Sequence, residues 1–184
     1  MKLLWLDLET TGLDAARHHI MEIAAVVADL EHPFDLLCSP YVRTLRVLGL
    51  PSEMDAAALE MHTRSGLLDE CGRSSYELGA AEQDVLALVP ELSLPQEAED
   101  RTTLAGASVH FDLGFLRRHM PDLAKHLSHR VYDVSAIKLF CKSLGMPKLE
   151  RANAHRALPD VQESIAHARA CVAWVQEGQW GRRT

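Results

Sequence analysis

Leu3-Leu4-Trp5-Leu6-Asp7-Leu8-Glu9-Thr10-Thr11-Gly12 is the stretch on which the fold turns. An apolar run passes into an alternating segment, which predicts a strand over residues 3–8 that ends at the threonines and Gly12. Side chains alternate along a strand, so Asp7 and Glu9 project together while Leu6 and Leu8 face the other way, into a core. Two acids side by side repel each other, and a shared proton or a bound divalent cation relieves that. Taken alone, the pair reads better as a solvated strand end, because motifs this short recur by chance.

Working outward, residues 20–29 (Ile20 to Asp29) predict a second strand, nearly all apolar. The turn before it holds Gly12 and Asp14, so the two strands are expected to form an antiparallel hairpin. Leu36 to Val42 predicts a third strand, with Pro40 marking an edge or bulge and Pro33 in the connection before it. Helical periodicity follows over 52–60, 63–70 and 76–89, and two prolines and a run of acids predict a loop over 90–101. Thr102 to Ala107 predicts a short strand, and a helix is expected from about Asp112. Pro121 opens a short helix, Val131-Tyr132 is a strand fragment, and Ser135 to Leu144 is a helix stopped by Gly145 and Pro147. A last helix, 159–177, opens on Pro159. Hairpin first, then strands alternating with helices, predicts an α/β fold with a mixed sheet and helices on both faces, in one domain covering 1–184.

Composition narrows the function classes. The chain has 184 residues, 47% hydrophobic and 24% charged, which is ordinary for a soluble domain. No apolar run reaches membrane-spanning length, and Asp7 interrupts the short apolar start where a signal peptide would continue. Cys38, Cys71, Cys141 and Cys171 are far apart, so neither a zinc ribbon nor a redox pair is signalled, and a reducing cytoplasm is expected. A net charge of −7 argues against wrapping long nucleic acid. That average hides a basic zone. Residues 115–156 carry Arg117, Arg118, Lys125, Arg130, Lys138, Lys142, Lys148, Arg151 and Arg156 against Asp122, Asp133 and Glu150, a local balance of +6. Cations beside acidic metal ligands suit a small phosphorylated substrate, although some of these side chains must simply be solvated.

Two further acids and one base complete a pattern. Asp112 stands after a strand and at a helix start, Asp160 opens the last helix, and His155 lies five residues before Asp160. Singly, each aspartate is no more than a first-turn acid favoured by the helix dipole, and His155 is one of ten histidines. Together, Asp7, Glu9, Asp112 and Asp160 are four hard oxygen donors at strand ends and helix starts, a set suited to Mg²⁺ or Mn²⁺. Two such ions support phosphodiester cleavage, and a nearby imidazole can take the proton of the attacking water.

Asp-x-Glu at Asp7 and Glu9, His110-Phe111-Asp112-x-x-Phe115-Leu116, then His155-x4-Asp160 resemble, in this order, the DEDDh 3′-to-5′ exonuclease family of RNase H-like fold. The resemblance spans residues 7–160. It implies Asp7, Glu9, Asp112 and Asp160 as ligands of two divalent cations and His155 as general base. Trp5 to Asp14, His62-Thr63-Arg64-Ser65-Gly66-Leu67 and Arg130-Val131-Tyr132-Asp133-Val134-Ser135 are most similar to the oligoribonuclease branch, which degrades very short RNA and ends with dinucleotides. That likeness implies a homodimer. It makes Thr10, Thr11, Gly12 and Leu13 a ledge for the 3′ end, with Leu13 and His62 holding the terminal nucleotides. It makes Ser108, Arg130 and Ser135 a cap on the 5′ phosphate; read without it, Ser135 is a helix N-cap and Arg130 a surface charge. Asp133 is read as structural.

The chain departs from the branch at three places. Ala56-Ala57-Ala58 has no aromatic where a base-stacking Trp is usual, leaving Met54 or Met61 to pack on a base. His129 stands where a Tyr reaches the partner subunit, and Ala107 where an Asn follows the glycine. Two other readings compete: a proofreading or repair-type exonuclease acting on single-stranded DNA, and a catalytically silent nucleotide-binding module of the same fold. Against the silent module, a retired site has no need of four repelling acids.

Overall fold

Strand β1 (Lys2–Thr10) is the middle of a five-stranded sheet in the order β3-β2-β1-β4-β5. The computed structural model describes residues 2–30, 35–88, 101–152 and 155–178. Strand β2 (Ile20–Asp29) pairs antiparallel with β1, placing Asp7 opposite Ala24 and Glu9 opposite Glu22. Strand β3 (Tyr41–Thr44) pairs antiparallel with β2 at one edge. Strand β4 (Thr102–Gly106) lies parallel to β1 on its other side, and β5 (Leu127–Asp133) lies parallel to β4. The mixed sheet expected from the sequence is therefore present, antiparallel at one side and parallel at the other.

Two strands differ in extent from the sequence reading. Pairing of β3 begins only after Pro40, which has no N–H to give a ladder. Leu36 makes an isolated bridge to Ala28 instead. Strand β5 is longer than the predicted fragment. Its polar Ser128, His129 and Arg130 hid it, and an edge strand tolerates them because one side meets water. The connection at Pro33, the loop over 90–100 and Val89 at the end of the predicted 76–89 helix lie outside the described residues.

Helices cover both faces. Helix α1 (Ala56–Arg64) and α2 (Leu67–Arg73) are separated by Gly66, whose φ of +78° a side-chain-bearing residue resists. Helices α3 (Leu78–Leu88), α4 (His110–His119) and α5 (Pro121–His126) pack on one face, where Val85, Phe115, Leu116 and Leu123 meet Leu4, Leu6 and Ile23. Helix α6 (Val134–Ser143) is capped by Asp133, whose carboxylate accepts from the N–H groups of Ser135 and Ala136. Asp133, not Ser135, is thus the cap. Helix α7 (Ala157–Gln176) begins two residues before Pro159 and covers the opposite face, packing Val161, Ile165 and Ala168 on Leu3, Trp5 and Val26. Each large buried side chain of this kind contributes about 2 kcal/mol.

Strand alternation now positions the acids. Trp5 faces α7, so Asp7 and Glu9, two and four residues on, face the start of α7 where Asp160 stands. Gly106 closes β4 where a Cβ would lie 2.8 Å from the Leu6 carbonyl oxygen, and its bare backbone lets β4 end against β1 beside the same acids. No helix among the described residues is long and apolar enough to cross a membrane.

Candidate metal centre and its flanking cavities

Oxygen atoms of Asp7, Glu9 and Asp160 lie within 4.8 Å of one another. Two come from the end of β1 and the third from the first turn of α7. Burial pushes the Asp7 carboxyl well above the usual carboxylate range, and the charges of Asp112, Glu9 and Asp160 add to it. Glu9 is pushed up to about 8, again by burial first and then by Asp160 and Glu22. Asp160 is raised by burial and by Glu163.

Asp112, the fourth acid, is held on α4 with its Oδ1 accepting the Leu8 N–H at 3.1 Å. It meets β1 between the two strand acids but stands outside the close trio. Burial raises it to about 7, although the Leu8 hydrogen bond works in the opposite direction. The trio offers carboxylate oxygens and neither thiol nor imidazole, the donor set of a hard divalent cation. A cation there would remove the repulsion that now raises these groups, so the residues present fit the ion their pattern implies.

His155 precedes α7 by two residues and adopts φ +52°, the left-handed region. It is half-buried, and its charge favours the ionised form of Asp160. A non-glycine residue held there costs about 1 kcal/mol or more, so neighbouring contacts must fix it.

The segment after β1 divides its residues between two tasks. Leu13 is 73% exposed, a large apolar side chain left in the open beside the acids. Thr10 donates its hydroxyl to the Gly12 carbonyl at 2.8 Å, tightening the turn. Thr11 points inward: it is buried, its Oγ1 accepts the His19 N–H at 3.0 Å, and it lies 3.2 Å from His18 Nδ1. Gly12 is pressed against His18 and Asp55, and a Cβ would meet Asp55 Oδ2 at 2.4 Å. Gly12→Ala is therefore expected to lose about 1–3 kcal/mol in urea denaturation by overpacking. An unchanged midpoint would show that the Asp55 side chain simply swings out.

His62 points inward from α1. It is fully buried, and its Nε2 donates to the Thr10 carbonyl at 2.9 Å, 3.8 Å from Glu9. Burial holds its imidazole below the usual value, and its Nδ1 has no hydrogen-bond partner among the described residues. It ties α1 to the strand that carries the acids.

Besides a cavity of ≈ 180 Å³ lined by Asp7, Asp112 and Phe111, two cavities flank the carboxylates. One, of ≈ 290 Å³, lies between the Thr10–Leu13 turn and α1, with Ala57, Ala58 and Met61 in its wall. That wall carries no aromatic side chain. The other, of ≈ 220 Å³, is polar and lined by Asp7, Asp160, Ser108, Ser135, Lys138 and Arg151 among others. The Oδ1 of Asp133 accepts from the N–H groups of Ser108 at 3.1 Å and Ser135 at 2.8 Å, which brings the two hydroxyl oxygens to 3.0 Å. Lys138 Nζ lies 3.2 Å from His167 Nδ1, and Arg151 pairs with Glu163 at 3.5 Å.

Arg130 is exposed on β5 and is not in this cavity's wall. Lys138 and Arg151 were visible in the sequence only as members of the basic zone. Glu22 and Glu70, the partners of Arg156, were missed. The signal for Glu22 was a lone acid inside an otherwise apolar strand.

The family model described as Exonuclease (RNase_T) matches residues 4–167. A Schizosaccharomyces pombe protein named "Probable oligoribonuclease" is 35% identical over 170 residues, covering 89% of this chain and 64% of its own length. The protein named "Oligoribonuclease" of Corynebacterium diphtheriae is 38% identical over 174 residues, covering 89% of this chain and 78% of its own. Among solved structures, E. coli exonuclease I in complex with a dA16 oligonucleotide superposes with a TM-score of 0.65 at 19% identity. It covers 91% of this chain and 40% of its own, and shows a shared fold. The chain thus spans somewhat under two thirds of the Schizosaccharomyces pombe relative.

Proposed function

The chain belongs to the exonuclease family, and from that premise we propose that it is a 3′-to-5′ exoribonuclease that hydrolyses short RNA, dinucleotides included, to nucleoside 5′-monophosphates. One observation carries this reading: a trio of carboxylates, Glu9 buried and Asp7 and Asp160 half-buried, with an apolar cavity on one side and a polar cavity lined by Lys138 and Arg151 on the other. A dinucleotide needs that division, with a base on one side, a terminal phosphate on the other and the scissile phosphate between.

Asp7, Glu9, Asp112 and Asp160 would hold two divalent cations, Mg²⁺ or Mn²⁺, which when bound stabilise the attacking and leaving oxygens of the displacement. The chain's own residues do the rest. Leu13 and Met61 flank the apolar cavity, where the 3′ base packs between Leu13 and the small Ala57-Ala58 surface. Thr10 and Gly12 supply the ledge for the 3′ end; Thr11 and His62 support it from below. Ser108 and Ser135 present hydroxyls to the 5′ phosphate. Lys138 and Arg151 supply charge in the same cavity, with Arg130 reaching it only from the edge strand.

His155 takes the proton from the attacking water. The water oxygen bonds to phosphorus, the bond from phosphorus to the 3′ oxygen breaks, and the shortened chain keeps a 3′ hydroxyl. The whole chain acts as one exonuclease domain. Its four cysteines are free thiols, which suits the cytoplasm, and a homodimer would form with His129 on the exposed edge strand.

A series of 5′-phosphorylated RNAs from two to seven nucleotides, with Mg²⁺ and Mn²⁺ compared, tests the reading. Mononucleotides released from the 3′ end, fastest from the dinucleotide, are expected. Rapid cleavage of long single-stranded DNA with dinucleotides left over would assign the site to DNA instead. Short RNA left intact with both metals would end the enzyme reading.

A further inference from the structure

Arg156, next to His155, turns its guanidinium onto two carboxylates of the protein, with 27% of its side chain exposed. Its Nε donates to both oxygens of Glu22 at 3.1 and 3.2 Å, and its Nη2 to Glu22 Oε1 at 2.6 Å. Its Nη1 and Nη2 also donate to the two oxygens of Glu70 at 3.0 and 2.7 Å. The Ala157 N–H adds a bond to Glu22 Oε2 at 2.8 Å, and the Thr44 hydroxyl donates to Glu70 Oε2 at 3.2 Å. One guanidinium thus fastens the turn before α7 to β2, to α2 and, through Glu70, to β3.

Glu22 is 1% exposed and lies directly across the sheet from Glu9. The same turn holds His155 at φ +52°, a conformation that persists only where its surroundings impose it. A planar guanidinium bound along two edges fixes direction as well as distance, which an ammonium does not.

We infer that Glu22, Arg156 and Glu70 form a positioning clamp that holds the His155 turn in its left-handed conformation over the carboxylate site. The clamp rests on the reading of His155 as proton acceptor. None of its three residues touches substrate; each acts through the imidazole beside Arg156. A displacement of about 1 Å at a reacting group can cost on the order of 100-fold in rate, so loosening the turn is read in kcat.

Arg156→Lys keeps the charge and loses the fork. On a 5′-phosphorylated dinucleotide its kcat is expected to fall about 10- to 100-fold with KM within about threefold. Glu70→Gln sits on the more exposed side, keeps the fold if Arg156→Lys does not, and should lower kcat by about 3- to 10-fold at an unchanged melting temperature. In a His155→Ala background the same Arg156→Lys change should lower kcat by no more than about twofold, since the group it positions is gone.

A folded Arg156→Lys with wild-type kcat, beside an inactive His155→Ala, overturns the clamp and leaves the proton-acceptor reading standing. The clamp is likewise overturned if Arg156→Lys costs as much without His155 as with it. A fully active His155→Ala overturns the proton-acceptor reading and the clamp with it.

Discussion

Asp7→Asn is expected to abolish hydrolysis and, in the metal-free protein, to raise the melting temperature. The two effects have one origin. Asp7 is half-buried beside Glu9, Asp112 and Asp160, and its ionised form is disfavoured by desolvation and by all three. Asparagine fills nearly the same space without the charge, so the repulsion falls. The same change removes a ligand from the proposed cation pair, and with it transition-state stabilisation worth several kcal/mol, or at least about 10³-fold in kcat.

The pH dependence fixes the sign. Glu9 is raised to about 8 and Asp112 to about 7 in the folded chain. A group raised on folding contributes stability that is full below its unfolded value, near 4 for these acids, and is lost as pH climbs through the folded value. The chelated wild-type protein should therefore melt at steadily lower temperature between about pH 5 and pH 8.5. Mn²⁺ should restore the high-pH value. The Asp7→Asn curve should be flatter, approaching wild type only near pH 4 and lying above it at pH 8. Thermal melts with EDTA across that range, paired with dinucleotide hydrolysis in Mn²⁺, measure both effects. Wild-type activity, or a variant that melts lower at pH 8, would show that these acids do not form a repelling cation site.

The parts of this arrangement that the sequence disclosed are those governed by short-range rules. Asp7 and Glu9 were legible because strand alternation places them on one face. Asp112 and Asp160 were legible because strand ends and helix starts carry recognisable turn chemistry. Strand β2 was legible because both its faces are covered, which leaves an apolar run interrupted before Asp29 only by Glu22. Strand β5 was not, because an edge strand carries polar residues that imitate a loop.

The inward turn of Thr11 and the burial of His62 were hidden for a related reason. Thr11 lies just past the regular part of β1, so no period assigns its direction, and His62 lies in α1 at the gap between the helices read over 52–60 and 63–70. The clamp was the least legible of all. Its partners stand 134 and 86 residues from Arg156, and nothing local to His155-Arg156-Ala157 names them. The one local signal, which the reading missed, is Glu22, an acid flanked in sequence by apolar residues and so in need of a cation from elsewhere in the chain.

That acid should also carry the largest stability effect. Glu22→Ala leaves Arg156 and the Ala157 N–H without their deepest acceptor, in a place where Glu22 is 1% exposed. Removing one partner of a buried ion pair typically costs about 3–5 kcal/mol, because the remaining charge stays desolvated. Part of this is offset in the metal-free protein, since Glu22 also raises Glu9 and Asp7 by repulsion. The full loss is therefore expected with Mg²⁺ present at pH 7, where the carboxylates are held ionised in any case, and a smaller loss in EDTA. Glu70→Ala provides the contrast. Glu70 is 40% exposed, so water replaces what the alanine removes, and about 1 kcal/mol or less is expected. Urea denaturation of both variants, with and without Mg²⁺, reads the difference. Equal losses at the two positions would mean that Arg156 is stabilised by the half-exposed side of its pair as much as by the buried one, and that the turn before α7 is not anchored through β2.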